Sequence, residues 1–407
     1  MADKTKTTIW NRNFICVMFT NCLLVMSSNS VNTMVSTYTT FLGAGPKLMG
    51  LLTGLFFAVA LAMRPVTGPV TTRIDNRKLM MLVYGIGCLV NLGYAAFHTI
   101  PAFLVLRILN GLEYAFVGSL GITIAAAALP PEKLSSGLGI YGVSGAVATS
   151  IAPQLALWLR DWGERIRDLH LGYTFVFLFA ALTLGLGVLA SAMMEPDHKD
   201  KAVVASTGKW YQTIVSKHAV FPTVIMFLLI ISYSLFNGYM VPYGEEIGVK
   251  EIGVFFTVLS LGMLASRPIC GYLSDHLGPK TIFIPATILF ALCFVAIGNA
   301  HNMVLIIVGA VIAALGYGAL NPTVQSLCMQ TETKARRAVA SNTLFVGMDL
   351  AFFIGPLIGG FIRDVATYRT VMRFGTFPAL AALVVFFIGW KSCAARVEAV
   401  KAMEEGS

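Results

Sequence analysis

Leu61-Ala62-Met63-Arg64-Pro65-Val66-Thr67-Gly68 and Leu264-Ala265-Ser266-Arg267-Pro268-Ile269-Cys270-Gly271 agree at five of eight positions, at an offset of 203 residues. The same offset places Ala152-Pro153 on Gly355-Pro356 and Gly50 on Gly253. An offset held constant over a hundred residues describes two halves of one design, running in the same direction. Each copy lies inside a long apolar run, so the repeated unit belongs in a membrane. Parallel halves of this kind place a substrate site at their interface, near mid-membrane.

Composition agrees. Of 407 residues, 57% are hydrophobic and 12% charged, against about 25% charged in a soluble domain. Runs of about 20 apolar residues, enough to cross a hydrocarbon core of about 30 Å, recur along the whole chain. They are placed at 14–40, 48–71, 79–97, 101–129, 136–159 and 172–194, then 220–241, 251–273, 281–299, 302–329, 337–361 and 373–391. The expected fold is an all-α integral membrane protein with twelve transmembrane helices in two parallel, pseudo-symmetric six-helix halves. The halves are 1–194 and 220–407, the second ending in a short cytoplasmic tail. A cytoplasmic linker, 195–219, joins them, and its piece Trp210-Tyr211-Gln212-Thr213-Ile214-Val215 has an amphipathic pattern suited to the interface. The first run is too long for a signal-peptide core and reads as a retained span.

Charge sets the orientation. With the N-terminus inside, internal segments hold 18 Lys or Arg and external ones 8, which puts both termini in the cytoplasm of a cytoplasmic (inner) membrane. The net charge of +9 follows from this asymmetry and needs no nucleic-acid partner. The seven cysteines and six histidines lack the close pairing of a metal site, and the cysteines read as reduced packing residues.

The loops and helices carry motifs that resemble the major facilitator superfamily over essentially the whole chain. Gly271-Tyr272-Leu273-Ser274-Asp275-His276-Leu277-Gly278-Pro279-Lys280 looks like its cytoplasmic loop signature. The copy after the second span is degenerate, with Thr72 where the acid is expected and Asp75 where the glycine is. Arg107-Ile108-Leu109-Asn110-Gly111 is similar to the Arg-x-x-Gln-Gly element, with Asn for Gln. The fifth span keeps Gly139, Ala148, Ala152, Pro153 and Ala156 of the proton antiporters' Gly-Pro pattern, while a fuller copy, Gly355-Pro356-Leu357-Ile358-Gly359-Gly360, stands in the eleventh. The resemblance implies a monomer that works by alternating access, driven by the proton gradient without a cofactor. Its helices one, two, four, five, seven, eight, ten and eleven would line or gate the cavity.

Glu113 and Asp349 lie near the middle of the fourth and eleventh spans. An ionised group there costs at least about 2.5–3.5 kcal/mol on insertion scales, so each is protonated, paired or wet. Neither is echoed in the other half, where Gly316 and Ala146 stand. Both are proton-coupling candidates; the alternative is a structural ion pair, for example Glu113 with Arg107 or Arg64. Arg64 and Arg267 do occur twice, which favours gate residues over anion ligands. Asp275 belongs with them through its loop signature. Arg107 is either part of a proton path, as the resemblance implies, or a snorkelling anchor. Cavity candidates are Asn29, Asn32, Gln154, Tyr233, Asn237, Tyr317, Asn321 and Gln325, for which helix–helix hydrogen bonding is the alternative.

These features favour proton-coupled export of a small organic compound, ahead of uptake or exchange of an organic acid, nutrient or metabolite through Arg64, Arg107 or Arg267. A flippase or a sensor has less support. No nucleophile–base set, cofactor fingerprint or metal spacing suggests an enzyme.

Overall fold

The computed structural model describes residues 9–129, 134–195, 215–249, 251–333 and 336–405. They form helices and no strand. In chain order these are α1 (Arg12–Phe41), α2 (Pro46–Arg73), α3 (Asn76–Ala96), α4 (Ile100–Ala128), α5 (Leu134–Ile166) and α6 (Leu169–Ala192). There follow α7 (Val220–Glu246), α8 (Gly253–Leu277), α9 (Pro279–Gly298), α10 (Met303–Gln330), α11 (Arg337–Val365), α12 (Tyr368–Phe374) and α13 (Thr376–Glu405). Eleven stretches are long and apolar enough to cross a membrane, and Gly253–Ser266 adds a shorter apolar one. This is the twelve-span arrangement expected from the sequence.

Helix ends follow local chemistry. Asn11, Asp168 and Asn302 accept from the backbone N–H of Phe14, Leu171 and Leu305, capping α1, α6 and α10. Gly43, Gly248 and Gly278 take positive φ after α1, after α7 and before α9, a region that a Cβ would disfavour. The last span, expected as one run, is broken at Gly375. Phe294 packs where a side chain at that position would be. The Gly375 carbonyl accepts from Ser232 Oγ (2.7 Å), and Pro378 falls in the first turn of α13, where a missing N–H costs nothing.

The chain divides into two compact units, 1–44 with 58–206, and 45–57 with 207–407. The sequence boundary keeps all of 1–194 together, whereas in the structure the first half of α2 packs with the second unit. The reason is its glycine pair. A Cβ on Gly50 would meet the Pro356 carbonyl oxygen at 2.5 Å, and one on Gly54 the Phe353 carbonyl oxygen at 2.5 Å. Small residues four apart let two helix backbones touch. Lys47 closes the contact on Asp364 at 2.8 Å. Most of the 195–219 linker, including Trp210 to Ile214, lies outside the described residues.

The repeat is visible in the packing. α1 lies against α5 and α6, and α7 against α11 and α13. At one end of the first unit Asn11 Nδ2 donates to Ala128 O (2.5 Å) and Asn13 Oδ1 accepts from Glu195 N (2.8 Å). In the second unit Ser216, in register with Asn13, donates to the buried Glu332 carboxylate, and its N–H donates to Thr343 Oγ1 (2.8 Å). Arg336 and Arg396 stand 3.8 Å from Glu332 and are partly exposed, so their pairing adds little. Glu332→Ala strands the buried Ser216 hydroxyl and should cost about 1–3 kcal/mol. The expected result is a lower melting temperature in detergent; an unchanged one would show that Ser216 finds another acceptor.

Candidate functional site

α4 carries the polar stripe of the first unit. Arg107, Asn110 and Glu113 are three residues apart and so share one helix face. All three are buried, Arg107 completely. The Arg107 guanidinium donates to Asn32 Oδ1 of α1 (2.6 Å), with a longer approach to Asn110 Oδ1 at 3.5 Å. Tyr94 of α3 stands beside it. Asn110 Nδ2 donates to Glu113 Oε2 at 2.9 Å. Glu113 Oε1 is buried with no hydrogen-bond partner.

Two sequence alternatives are thereby revised. Glu113 makes no ion pair with Arg107 or Arg64, because Asn110 stands between it and Arg107. A Cβ on Gly87 of α3 would meet Glu113 Cδ and Leu184 Cδ1 of α6, each at 2.8 Å, so Glu113 fills the space that this glycine leaves. Arg107 is likewise no snorkelling anchor, since a snorkelling head reaches water and this one has no exposed surface.

The other polar residues of α1 mostly bind α5 or their own helix. Asn21 donates to Ser144 Oγ (2.9 Å) and accepts from Tyr141 (3.0 Å). Asn29 donates to Val25 O (3.0 Å), with Thr149 Oγ1 at 3.5 Å. Ser30 donates to Ala152 O. Ala148, Ala152 and Ala156, fully buried, make room for this seam. Gln154, on the same helix, has its Oε1 buried and unpartnered.

The second unit holds a different arrangement, an aromatic slab continued by an amide ladder. Tyr233 of α7 stacks on Tyr317 of α10 with centroids 4.2 Å apart and planes 10° from parallel. Phe352 of α11 meets Tyr233 edge-on (6.3 Å) and stacks on Phe57 (4.6 Å). Along α10, Asn321 Nδ2 donates to the Tyr317 hydroxyl (3.1 Å) and Gln325 Nε2 to Asn321 Oδ1 (2.6 Å). Tyr233, Asn321 and Gln325 are half-buried. Asn237, one turn beyond Tyr233, is half-buried as well. Asp349 is buried on α11, one turn before Phe352 and Phe353 and on their face. Arg64 is half-buried on α2, and the side chains of Arg267 and Asp275 lie outside the described residues.

Sequence reading named Asn110 only within its Arg-x-x-Gln-Gly-like element, and it missed Tyr94, Phe352 and Phe57. The three-residue spacing of Arg107, Asn110 and Glu113 was the available signal for the first. The aromatics carried none, because Phe is common in every span.

A polytopic helical protein with buried charges and an amphiphilic aromatic strip, and no metal-ligating cluster among its described residues, is built as a membrane carrier. The model of the Major Facilitator Superfamily matches residues 17–250 and 222–402, and the chain belongs to that family of transporters. It is 23% identical over 362 residues to the staphylopine export protein of Staphylococcus aureus, covering 85% of this chain and 88% of that one. It is 24% identical over 380 residues to the multi-drug resistance efflux pump PmrA of Streptococcus pneumoniae, covering 89% and 92%. Among solved structures the nucleoside transporter NupG superposes with a TM-score of 0.74 at 13% identity, over 92% of this chain and 99% of that one; this likeness concerns the fold.

Proposed function

We propose that the protein exports a small, flat organic compound from the cytoplasm in exchange for protons, by alternating access and as a monomer in the inner membrane with both termini cytoplasmic. The observation that carries the coupling half of this reading is Glu113, a buried carboxyl with one donor and one unpartnered oxygen. Ionised in place, it would hold a charge at membrane depth with a single hydrogen bond, a costly state. Losing its proton therefore requires new donors. Arg107 is the nearby source, two turns along the same face and linked through Asn110. Turning toward Glu113 removes it from Asn32, so proton loss at α4 changes what α1 is bound to. Asp349, on the face of Phe352, is the second coupling candidate and acts beside the solute.

The slab of Tyr233, Tyr317 and Phe352 offers stacking, and Asn321 and Gln325 offer amide hydrogen bonds. Such a surface suits a planar solute with polar edges. The names of the efflux relatives support the outward direction. Uptake of an organic acid through Arg107 has less support, since that guanidinium has no exposed surface.

The test is proton movement in liposomes holding the purified protein, on adding lipophilic cations or small organic acids. Cations should move protons; Glu113→Gln and Asp349→Asn should each weaken this, and at least one should abolish it. Tyr233→Ala should raise the half-saturating concentration by up to about tenfold, the loss of one stacked ring. A response to organic acids alone, with both carboxyl variants active, would replace export by uptake.

A further inference from the structure

At the end of the first unit away from the N-terminus, two histidines meet. His98 lies in the turn between α3 and α4, and His170 opens α6. Their ring centroids are 3.7 Å apart, tilted by 54°. His98 Nδ1 is held by the Tyr38 hydroxyl of α1 at 2.9 Å, and Tyr38 is fully buried among Phe103, Tyr173 and Phe177. His98 is half-buried and His170 exposed. One ring is thus fixed by a rigid aromatic box, and the other faces solvent.

The second unit shows what this position does. With the 203-residue offset, His170 falls on Arg373 and Gly172 on Gly375. Arg373 Nε donates to Gly298 O (3.1 Å) and its Nη2 to Asn299 Oδ1, tying α12 to the turn between α9 and α10. His301, in register with His98, turns to Asn299 O instead (3.2 Å). The corresponding elements therefore meet through the hydrogen bonds of a permanent cation in one unit and through a contact of two titratable rings in the other.

We propose that His98 and His170 form a proton-binding site separate from Glu113 and Asp349, in which the neutral or singly charged pair clasps the α3–α4 turn to α6 and a second proton releases it. Two imidazolium rings in contact repel, and a ring bonded to Tyr38 cannot retreat without breaking that bond. The groups acting on His98 are His170 from α6, the Tyr38 hydroxyl from α1 and the Ala95 carbonyl at the end of α3. Asp168 does not relieve the pair, since it caps Leu171 N–H and stands 3.3 Å from Arg167. Burial first, then His170, holds His98 below the ordinary histidine value, with Ala95 opposing. The sign follows: the clasp is fully present above about pH 6.5, the unfolded value, and is lost as pH falls through the depressed value of His98. In the proposed topology this end faces outside, the acidic side of an energised membrane. The proton site itself stands whichever way the solute moves.

The experiment is a histidine-selective NMR titration of the full chain in lipid nanodiscs, from about pH 8 to about pH 5, for wild type, His98→Gln, His170→Asn and His170→Arg. His301 and His218 serve as folding controls in the same spectra. In wild type His98 should titrate below the ordinary histidine value, and His170→Asn should raise its midpoint. Hydrogen exchange in the α3–α4 turn, corrected for the intrinsic pH effect, should quicken about tenfold at acid pH in wild type. It should stay slow in His170→Arg, which copies Arg373. Midpoints for His98 that ignore residue 170, or a turn whose protection is flat with pH in wild type, would overturn the proposal.

Discussion

Asn32→Leu and Arg107→Met are each expected to destabilise the protein by about 2–3 kcal/mol, the range for a buried hydrogen bond to a charged group. The double variant should cost less than their sum by about 1 kcal/mol or more. Asn32 Oδ1 is the 2.6 Å acceptor of a guanidinium with no exposed surface. Removing the acceptor leaves a buried cation short of a partner; removing the cation leaves the half-buried Asn32 amide oxygen without that donor. Removing both leaves an apolar contact, which is why the costs do not add. Arg107→Lys should resemble Arg107→Met, because an ammonium is a point charge and cannot extend to Asn32 and Asn110 together. Denaturation in detergent measures all four proteins, and strictly additive costs would mean that Asn32 and Arg107 do not depend on one another. Transport should fall with Arg107→Met more than stability explains, because the variant also removes the donor that Glu113 needs on losing its proton.

Gly54→Leu should yield little folded protein, and Gly54→Ala should cost about 1–3 kcal/mol. A Cβ at Gly54 points at the Phe353 backbone carbonyl, 2.5 Å away. Backbone within a helix cannot swing aside as a side chain does, so α11 itself would have to move. Gly85 provides the control. It too is helical, but nothing lies within 4 Å of its added Cβ, so Gly85→Ala should be neutral or gain up to about 1 kcal/mol from helix propensity and the unfolded chain. Opposite signs for two glycine-to-alanine changes, read as melting temperatures, are the expected result. Equal effects would mean that α2 and α11 do not meet as described.

The number of spans, their ends and the repeat were legible in the chain, because crossing a hydrocarbon core of fixed thickness is a local demand on about 20 residues. The expected run at 101–129 meets α4 at 100–128, and that at 220–241 begins with α7. The break at Gly375 was not legible, since it depends on where Phe294 of α9 comes to rest. Asn29 and Asn32 of α1 stood together in the sequence as cavity candidates, yet their spacing did not separate Asn29, bound to its own helix, from Asn32, bound to Arg107.

Glu113 shows the limit most clearly. Sequence alone placed it at mid-membrane, and charge cost alone marked it as needing an explanation; the stripe it shares with Arg107 and Asn110 came with the structure. Which neighbours that stripe meets was decided by the tertiary structure, through Gly87 leaving space on α3 and Asn32 reaching from α1. The physical reason is that a membrane helix is apolar on every side, so the pattern that tells a soluble helix which face is buried is nearly absent. Helix length is written in hydrophobicity; helix rotation is set by small residues and buried hydrogen bonds, whose partners lie far away in the chain.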